Sequence, residues 1–514
     1  MNETTLRNAT LLDQAKTYLS PSNIRIFFLG FSAGIPILLI FSSLSIWLTE
    51  AGVSKSMVTY FSWAALGYSF KFVWAPLVDR IPLPLLTRLL GRRRSWLLLS
   101  QVAIAASILW MGLTDPSLGE SSLVVMAWAA VALGFSSATQ DIVIDAFRIE
   151  SDTAEMQAVL SATYIASYRI AMIVSGAGAL YLAEYLGSTK ESYSYAAWMW
   201  TYIAMAGTML VGIVTTLLSP EPKSNELIES NHSNMHYVRF LGLFVIIVFV
   251  FIQGFNVSSE IAISLKDSLE PFTGKPLGHF IVDGLRFLFS FTLAAMSAVL
   301  LQKFNFADKE MVRESYIAPL ADFFSRYGRS SAITLLALIG LYRISDVVLG
   351  VISGVFYLDT GFSKHDIATA VKTVGVLMSI LGGFIGGMLT IRFGVTRILF
   401  LGALLAAGTN LLFLLLAHVG THVPLFYLVV SADNLAAGLA SAAFVAFLSS
   451  LTNIKFTAVQ YAIFTSLMTL LPKTIGGYSG TIAENIGYVG FFVFSTIIGL
   501  PTLYLVYLAD KKLK

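Results

Sequence analysis

The chain has 514 residues, of which 56% are hydrophobic and 12% charged, with a net charge of +3 and no cysteine. A soluble domain carries about 25% charged residues, so a fold of this size surrounded by water is excluded, and a mean hydropathy of +0.76 makes lipid the solvent for most of it. Without cysteine there can be no disulfides, thiolate nucleophiles, iron–sulfur clusters or sulfur-bound zinc. The small basic excess is what short cytoplasmic loops supply, and no nucleic-acid partner is expected.

Residues 1–23 carry Glu3, Arg7, Asp13 and Lys16 and lack the apolar core and cleavage site of a secretory signal, so the first span is expected to be its own targeting signal. Fourteen stretches are long and apolar enough to cross a bilayer: 24–48, 57–76, 95–113, 122–147, 157–183, 195–218, 239–258, 278–301, 332–356, 366–391, 398–418, 423–448, 457–482 and 488–508. With the N-terminus inside, 22 of the 33 basic residues fall in cytoplasmic segments and 5 (Lys55, Lys190, Lys266, Lys275, Lys364) in outer loops. The remaining 6 (Lys71, Arg169, Arg286, Arg343, Lys372, Lys473) fall within spans. This asymmetry places both termini in the cytoplasm, because removing one span would swap the sides of every later loop.

The expected organisation is an N-terminal tail (1–23), a six-helix bundle (24–218), a solvated linker (219–238), a two-helix hairpin (239–301), an inner linker (302–331), a second six-helix bundle (332–508) and a short tail (509–514). Tyr316, Ile317, Leu320, Phe323 and Phe324 recur at helical spacing in the inner linker, which reads either as a helix on the membrane surface or as a packed cytoplasmic segment. An internal repeat shows on either side: the loop around Gly91 resembles that around Gly394, 303 residues later, and Arg169 and Lys473 stand 304 apart. The chain therefore reads as an all-α polytopic membrane protein of duplicated six-helix bundles with two extra helices between them.

A charge at bilayer depth costs at least about 2.5–3.5 kcal/mol, so it should face a cavity or a partner. In the fourth span Asp141, Asp145 and Arg148 follow at spacings of four and three and share one face, flanked by Ser137 and Gln140. Asp145 and Arg148 read as an ion pair at the helix end; Asp141, a turn deeper, reads as functional. In the ninth span Tyr342 and Arg343 precede Asp346 by four and three residues. Arg343 and Asp346 can neutralise each other, and an incoming carboxylate can compete for the arginine while Asp346 takes a proton. Lys372 in the tenth span, with Asp433 and Asn434 in the twelfth, lacks an opposite charge on its own helix. Arg169 lies beside Tyr164 and Tyr168, a fair contact for an anion and a sugar. Lys71, five residues before Pro76, is expected to snorkel to the inner interface, and Asp283 with Arg286 to form a pair within the hairpin. Gly30 with Gly34, and Gly382, Gly383, Gly386 and Gly387, make GxxxG patterns that let helices approach closely.

Absences sort the function classes. There is no phosphate-binding GxxxxGK[ST] loop and no HExxH, the six histidines (232, 236, 279, 365, 418, 422) lie in loops or near helix ends, and the serines of the spans lack a histidine at matching depth. Direct drive by ATP, metal catalysis and intramembrane hydrolysis are not expected, nor is any cofactor. A secondary transporter remains, with polar groups of both repeats converging near the midplane.

Asp79, Arg80 and the run Gly91, Arg92, Arg93, Arg94 resemble a stretched form of the loop motif of the major facilitator superfamily. Closer still, GFSAGIPILLIFSSLSIWLTEAGVS, YSFKFVWAPLVDR, GRRRSWLLLSQ, SATQDIVIDAFR, GLYRISD with YLDTGFSK, and SAAFVAFLSSLTN resemble the AmpG-type muropeptide permeases of Gram-negative inner membranes, over nearly the whole chain. The resemblance implies the superfamily's twelve helices plus two between the halves, fourteen in all. It also implies proton-driven import of N-acetylglucosaminyl-1,6-anhydro-N-acetylmuramyl peptides for peptidoglycan recycling, with a link to β-lactamase induction and antibiotic resistance. On that reading Asp141 is the first candidate for proton coupling and Asp346 the second, followed by Asp145 and Asp433. Arg169, Arg343, Lys372 and Lys473 suit the peptide carboxylates; Gln140, Tyr164, Tyr168, Tyr342 and Asn434 suit the sugars and amides; and Asp79, Arg80, Gly91, Arg92 and Arg93 form a gating loop. A monomer is expected. The sequence departs from the family pattern at Asp433, where members have Glu, and at Pro472 and Lys473, where they tend to Gly and Arg. Two rival readings are a related acetyl-coenzyme A carrier and a membrane enzyme acting on a lipid-linked wall precursor.

Overall fold

A computed structural model of the protein describes residues 17–54, 57–58, 61, 66–189, 192–222, 234–273, 275–476 and 479–513. Among them there is no strand, and thirteen helices are long and apolar enough to span a membrane. The helices are α1 (Pro21–Glu50), α2 (described as Leu66–Phe70, Lys71–Val73 and Ala75–Arg80), α3 (Arg92–Gly112), α4 (Glu120–Glu150), α5 (Gln157–Tyr185), α6 (Tyr195–Leu218), α7 (Asn234–Val257), α8 (Lys275–Lys303), α9 (residues 329–359), α10 (His365–Phe393), α11 (Val395–Val419), α12 (Val423–Leu451), α13 (Thr457–Gly476) and α14 (Ile482–Leu513). The thirteen are all but α2, part of whose expected span lies outside the described residues. The protein is an integral membrane protein of the all-α class. Of the positions read from sequence, Glu3, Arg7, Asp13, Lys16, Lys55, Lys190, Lys223 and His232 fall outside the described residues.

The chain forms two compact units: Met1–Val78, Pro82–Glu226 and Tyr327–Lys514 make the first, Asp79–Ile81 and Leu227–Arg326 the second. The first holds α1–α6 and α9–α14. Their common origin is written in the turns. Four pairs of glycines with positive φ, Gly52 and Gly361, Gly91 and Gly394, Gly119 and Gly420, Gly187 and Gly487, stand 309, 303, 301 and 300 residues apart. Only glycine adopts this backbone freely, so the repeat seen faintly at Gly91 and Gly394 extends to a shared set of corners.

Each half has an aromatic centre. Trp47 stacks on Trp198 (5.6 Å, 5°) beside Tyr202 in the N-terminal half; Phe356, Phe413, Phe426 and Phe492 pack together in the C-terminal half. The small-residue faces act as expected. A Cβ added to Gly34 would overlap the Tyr168 carbonyl oxygen, and one on Gly382 the Leu435 carbonyl. α1 thus presses its backbone onto α5, and α10 onto α12. The linker after α6 is not wholly solvated. Glu221 accepts hydrogen bonds from the backbone N–H of Arg93 (2.7 Å) and Arg94 (3.1 Å), capping α3. Burial pushes the Glu221 carboxyl up, against the pull of those two donors.

The second unit contains α7, α8 and, between them, a helix at Ser259–Thr273 where a loop was expected. Lys266, assigned from sequence to that loop, lies instead 2.8 Å from Asp283, which is also 3.6 Å from Arg286. The expected Asp283–Arg286 pair is therefore part of a three-charge group, with Arg286 also donating to the Phe255 carbonyl (2.7 Å). From Lys309 the inner linker is helical up to Gly328, whose φ of 70° bends the chain. Phe323 is buried, whereas Ile317, Leu320 and Phe324 are exposed, so its apolar residues divide between two sides.

Candidate functional site

In the N-terminal half the charged stripe of α4 lies buried. Asp145 is 3.6 Å from Arg148, the pair expected from their spacing, and 3.7 Å from Lys71. Lys71 does not snorkel. Its residue is 6% exposed, on a 3₁₀ turn, Lys71–Val73, that interrupts α2 and aims the side chain at α4. Two hydrogen bonds pin α2 there on either side of the lysine, from Tyr68 to Ser137 (2.6 Å) and from Trp74 to Thr139 (3.1 Å). Asp141, also buried, feels the charges of Lys71 and Asp145, and the Tyr164 hydroxyl faces it; its Oδ1 has no hydrogen-bond partner among the described residues. Gln140, one residue round the helix, is fully buried and donates to Ser32 of α1 (2.9 Å). That contact gives it a positioning role between helices.

In the C-terminal half, α9 breaks at Tyr342 and Arg343, and a new helix begins at Ile344 with Asp346 in its first turn. Arg343 Nε lies 3.4 Å from Asp346, and its Nη1 donates to Ser441 of α12 (2.6 Å). Their side chains keep 24% and 16% exposure. Asp433 accepts from Thr409 (3.2 Å) and feels the charges of Asp346 and Arg343. The break turns Tyr342 away from Asp346: its hydroxyl donates to the Leu399 carbonyl (3.0 Å) and its ring stacks on Phe444 at 4.3 Å. Asn434 donates to the Val430 carbonyl of its own helix (2.9 Å). Lys372 is exposed on a π-helical stretch of α10, Ala368–Val374, and Lys473 is exposed on α13.

Arg169 senses the other half electrostatically. Half-buried, and without a hydrogen bond or ion pair among the described residues, it feels the charge of Arg343 across the two halves. Tyr164 and Tyr168 lie beside it, ring centroids 6.0 Å apart, on the stretch of α5 that Gly30 and Gly34 of α1 hold in place. The structure thus groups Asp141, Tyr164, Tyr168, Arg169, Arg343, Asp346 and Asp433; Gln140, Tyr342 and Asn434 are engaged in helix packing.

Arg148 does more than pair. Its Nη1 donates to Gln157 and Ser161 in its own half (both 3.1 Å) and to Ser449 of α12 in the other (3.0 Å), and its guanidinium lies over the Tyr461 ring at 5.3 Å. Nearby, Tyr18 donates to the Phe384 carbonyl of α10 (3.1 Å), and Ala158, Val159, Ile391 and Ala446 form a small apolar seal. These contacts join the halves at the end where α4, α10 and α12 finish, the end with the basic loops. From sequence Lys71 was expected at the inner interface and not in the site, and Tyr18, Ser449 and Tyr461 were not singled out. The available signal was an acidic pair on α4 with too few cations beside it.

Of the loop residues, Gly91 (φ 88°) caps α3, and Arg93, 1% exposed, binds Glu150 with two hydrogen bonds (3.0 and 2.6 Å), tying the start of α3 to the end of α4. Arg80 pairs with Glu314 (3.0 Å) within the second unit, Asp79 is buried, and Arg92 is half-buried at the first position of α3.

Comparison with known proteins agrees with this architecture. Residues 24–239 match the family model described as acetyl-coenzyme A transporter 1. The Rickettsia felis protein named as transporter AmpG 4 is 29% identical over 487 residues, 95% of this chain and 96% of the relative. An uncharacterized Haemophilus influenzae protein is 31% identical, covering 92% and 91%, and the anhydromuropeptide permease of Escherichia coli is 27% identical, covering 97% and 82%. Among solved structures, the major facilitator superfamily proton:xylose symporter XylE superposes with a TM-score of 0.62 at 11% identity, covering 96% of each chain. With two homologous halves, a shared interior between them and relatives along nearly its whole length, the chain belongs to the AmpG-type permeases of the major facilitator superfamily and is a transporter.

Proposed function

We propose that this transporter imports anhydro-muropeptides from periplasm to cytoplasm across the bacterial inner membrane, driven by the proton gradient, with both termini cytoplasmic. The observation that carries the reading is that Arg169 and Arg343, one from each half, feel each other's charge, with Asp346 and Asp433 beside Arg343 and with Asp141 beside the Tyr164 and Tyr168 that neighbour Arg169. Two arginines offer charge-assisted hydrogen bonds to the carboxylates of a peptide stem. Tyr164 and Tyr168 offer ring faces and hydroxyls to the sugars, and the acids are placed to take up a proton as substrate binds. The name of the Escherichia coli relative supports this substrate class. On this reading the end closed by Arg148 and Tyr18 is the cytoplasmic one, alternating access consists of rocking the halves about it, and peptidoglycan recycling and β-lactamase induction lie downstream.

A second reading has its own support. The family match to acetyl-coenzyme A transporter 1 covers α1 to α6, and two arginines would also hold phosphates. Competition distinguishes the two: with labelled GlcNAc-1,6-anhydro-MurNAc-tripeptide bound to purified protein, unlabelled muropeptide displaces the label and coenzyme A does not. Displacement by coenzyme A at lower concentration than by muropeptide would reverse the assignment.

A further inference from the structure

The charge cluster of α2 and α4 is loosely made. Lys71 is a buried ammonium with three donors, and its closest carboxylate among the described residues is Asp145 at 3.7 Å, beyond hydrogen-bonding distance. Asp145 is shared with Arg148 at a similar 3.6 Å, and Asp141, one turn away on the same face, leaves Oδ1 unpartnered. A buried pair is stable when its geometry is tight and its remaining donors are filled; this one is neither. The lysine also sits on a 3₁₀ turn between two helical pieces, a type of irregularity common at functional hinges. Asp145 leads through Arg148 to Ser449 and Tyr461 in the other half.

From this arrangement we infer that Lys71 is a mobile counterion that exchanges between Asp145 and Asp141 and so couples the proton on Asp141 to the Arg148 contact between the halves. The inference rests on the proton-driven reading above. When Asp141 carries a proton it needs no counterion, and Lys71 stays with Asp145, as seen here. When Asp141 releases the proton, the bare carboxylate draws Lys71 across. Asp145 then depends on Arg148 alone, pulling the guanidinium toward α4 and away from Ser449. One proton enters and leaves Asp141, and no other bond is made or broken. The groups facing this exchange are Tyr68 on α2, Arg148 on α4, Tyr164 and Tyr168 on α5 and Tyr461 on α13. None of the tyrosines offers a competing cation. Lys71 is a positioning residue, since it acts on transport through the two acids.

The test uses the full chain in proteoliposomes with labelled GlcNAc-1,6-anhydro-MurNAc-tripeptide, comparing uptake driven by an imposed pH gradient with exchange at equal pH. In Lys71→Met, gradient-driven accumulation should fall at least about tenfold further than exchange, in the range of ordinary coupling energies. The double variant Lys71→Met with Asp145→Asn restores charge balance and should stay uncoupled. Accumulation and exchange falling in proportion in Lys71→Met, or accumulation recovering in the double variant, would show that the lysine only neutralises Asp145. Should Lys71→Met fail to fold, Lys71→Arg serves: the pH dependence of its accumulation should move, and an unchanged profile overturns the inference. Wild-type protein that exchanges but never accumulates under a gradient refutes the proton-driven reading itself, a result distinguishable from failure of the Lys71 variants alone.

Discussion

The two halves share a frame and differ in chemistry. Their turns repeat glycine for glycine, yet the interior charges do not. The N-terminal half buries Lys71, Arg148, Asp141 and Asp145 in one network and holds Arg169 apart, leaving formally one spare positive charge. The C-terminal half sets Asp346 and Asp433 against Arg343, leaving one spare negative charge, and keeps the Arg343–Asp346 pair partly open to solvent. At the places on α12 that answer to Asp141 and Asp145, 301 residues on by the Gly119 and Gly420 corners that open the two helices, stand Ala442 and Ala446. Duplication supplied a common scaffold; divergence then put the interlocked charges in one half and the open pair in the other. Neutralising the interlocked charges should impair the cycle as a whole, and neutralising the open ones should impair substrate recognition.

The largest effect is expected at Arg148. Arg148→Met strands Asp145 with Lys71 and removes the hydrogen bond to Ser449; breaking a buried pair costs about 3–5 kcal/mol. A fall in thermal stability accompanied by loss of uptake checks it, and full uptake would contradict the assigned contact. Next comes Asp141→Asn, which should abolish gradient-driven accumulation more completely than exchange; retention of full accumulation would move the proton to another acid. Arg343→Ala should then weaken binding of the tripeptide-bearing muropeptide by roughly ten- to a hundredfold, as loss of a charged hydrogen bond does, while changing the affinity of the peptide-free disaccharide much less. Titration of both ligands measures this, and equal loss would place Arg343 on the sugars. The smallest effect concerns the frame. Gly34→Ala should cost about 1–3 kcal/mol by overpacking α1 against α5, whereas Gly408→Ala, whose Cβ would meet nothing within 4 Å, should leave the melting temperature unchanged or raised.

Much of this was legible from sequence because the dominant signals are local. Apolar runs gave the spans, and Gly91 with Gly394 gave the repeat. Spacing alone gave Asp145–Arg148 and Arg343–Asp346, since residues three apart on a helix must neighbour one another. What escaped depended on irregular backbone or on partners far along the chain. Lys71 looked like a residue reaching for the interface because nothing local announces the 3₁₀ turn that aims it at α4. Tyr342 stands four residues before Asp346, yet the break in α9 rotates it onto Leu399 and Phe444. Gln140 adjoins Asp141 in sequence, but one step round a helix is enough to face it toward α1. The partnership of Arg148 with Ser449, 301 residues away, has no local sign at all.

Transport of a muropeptide between the two halves, driven by a proton gradient, is the proposal on which the rest depends. Its most direct test is uptake of labelled GlcNAc-1,6-anhydro-MurNAc-tripeptide into proteoliposomes containing only this protein, with the outside made acid. Accumulation above the external concentration, abolished by a protonophore, is the expected result. Uptake that stops at equal concentrations whatever the gradient would contradict it.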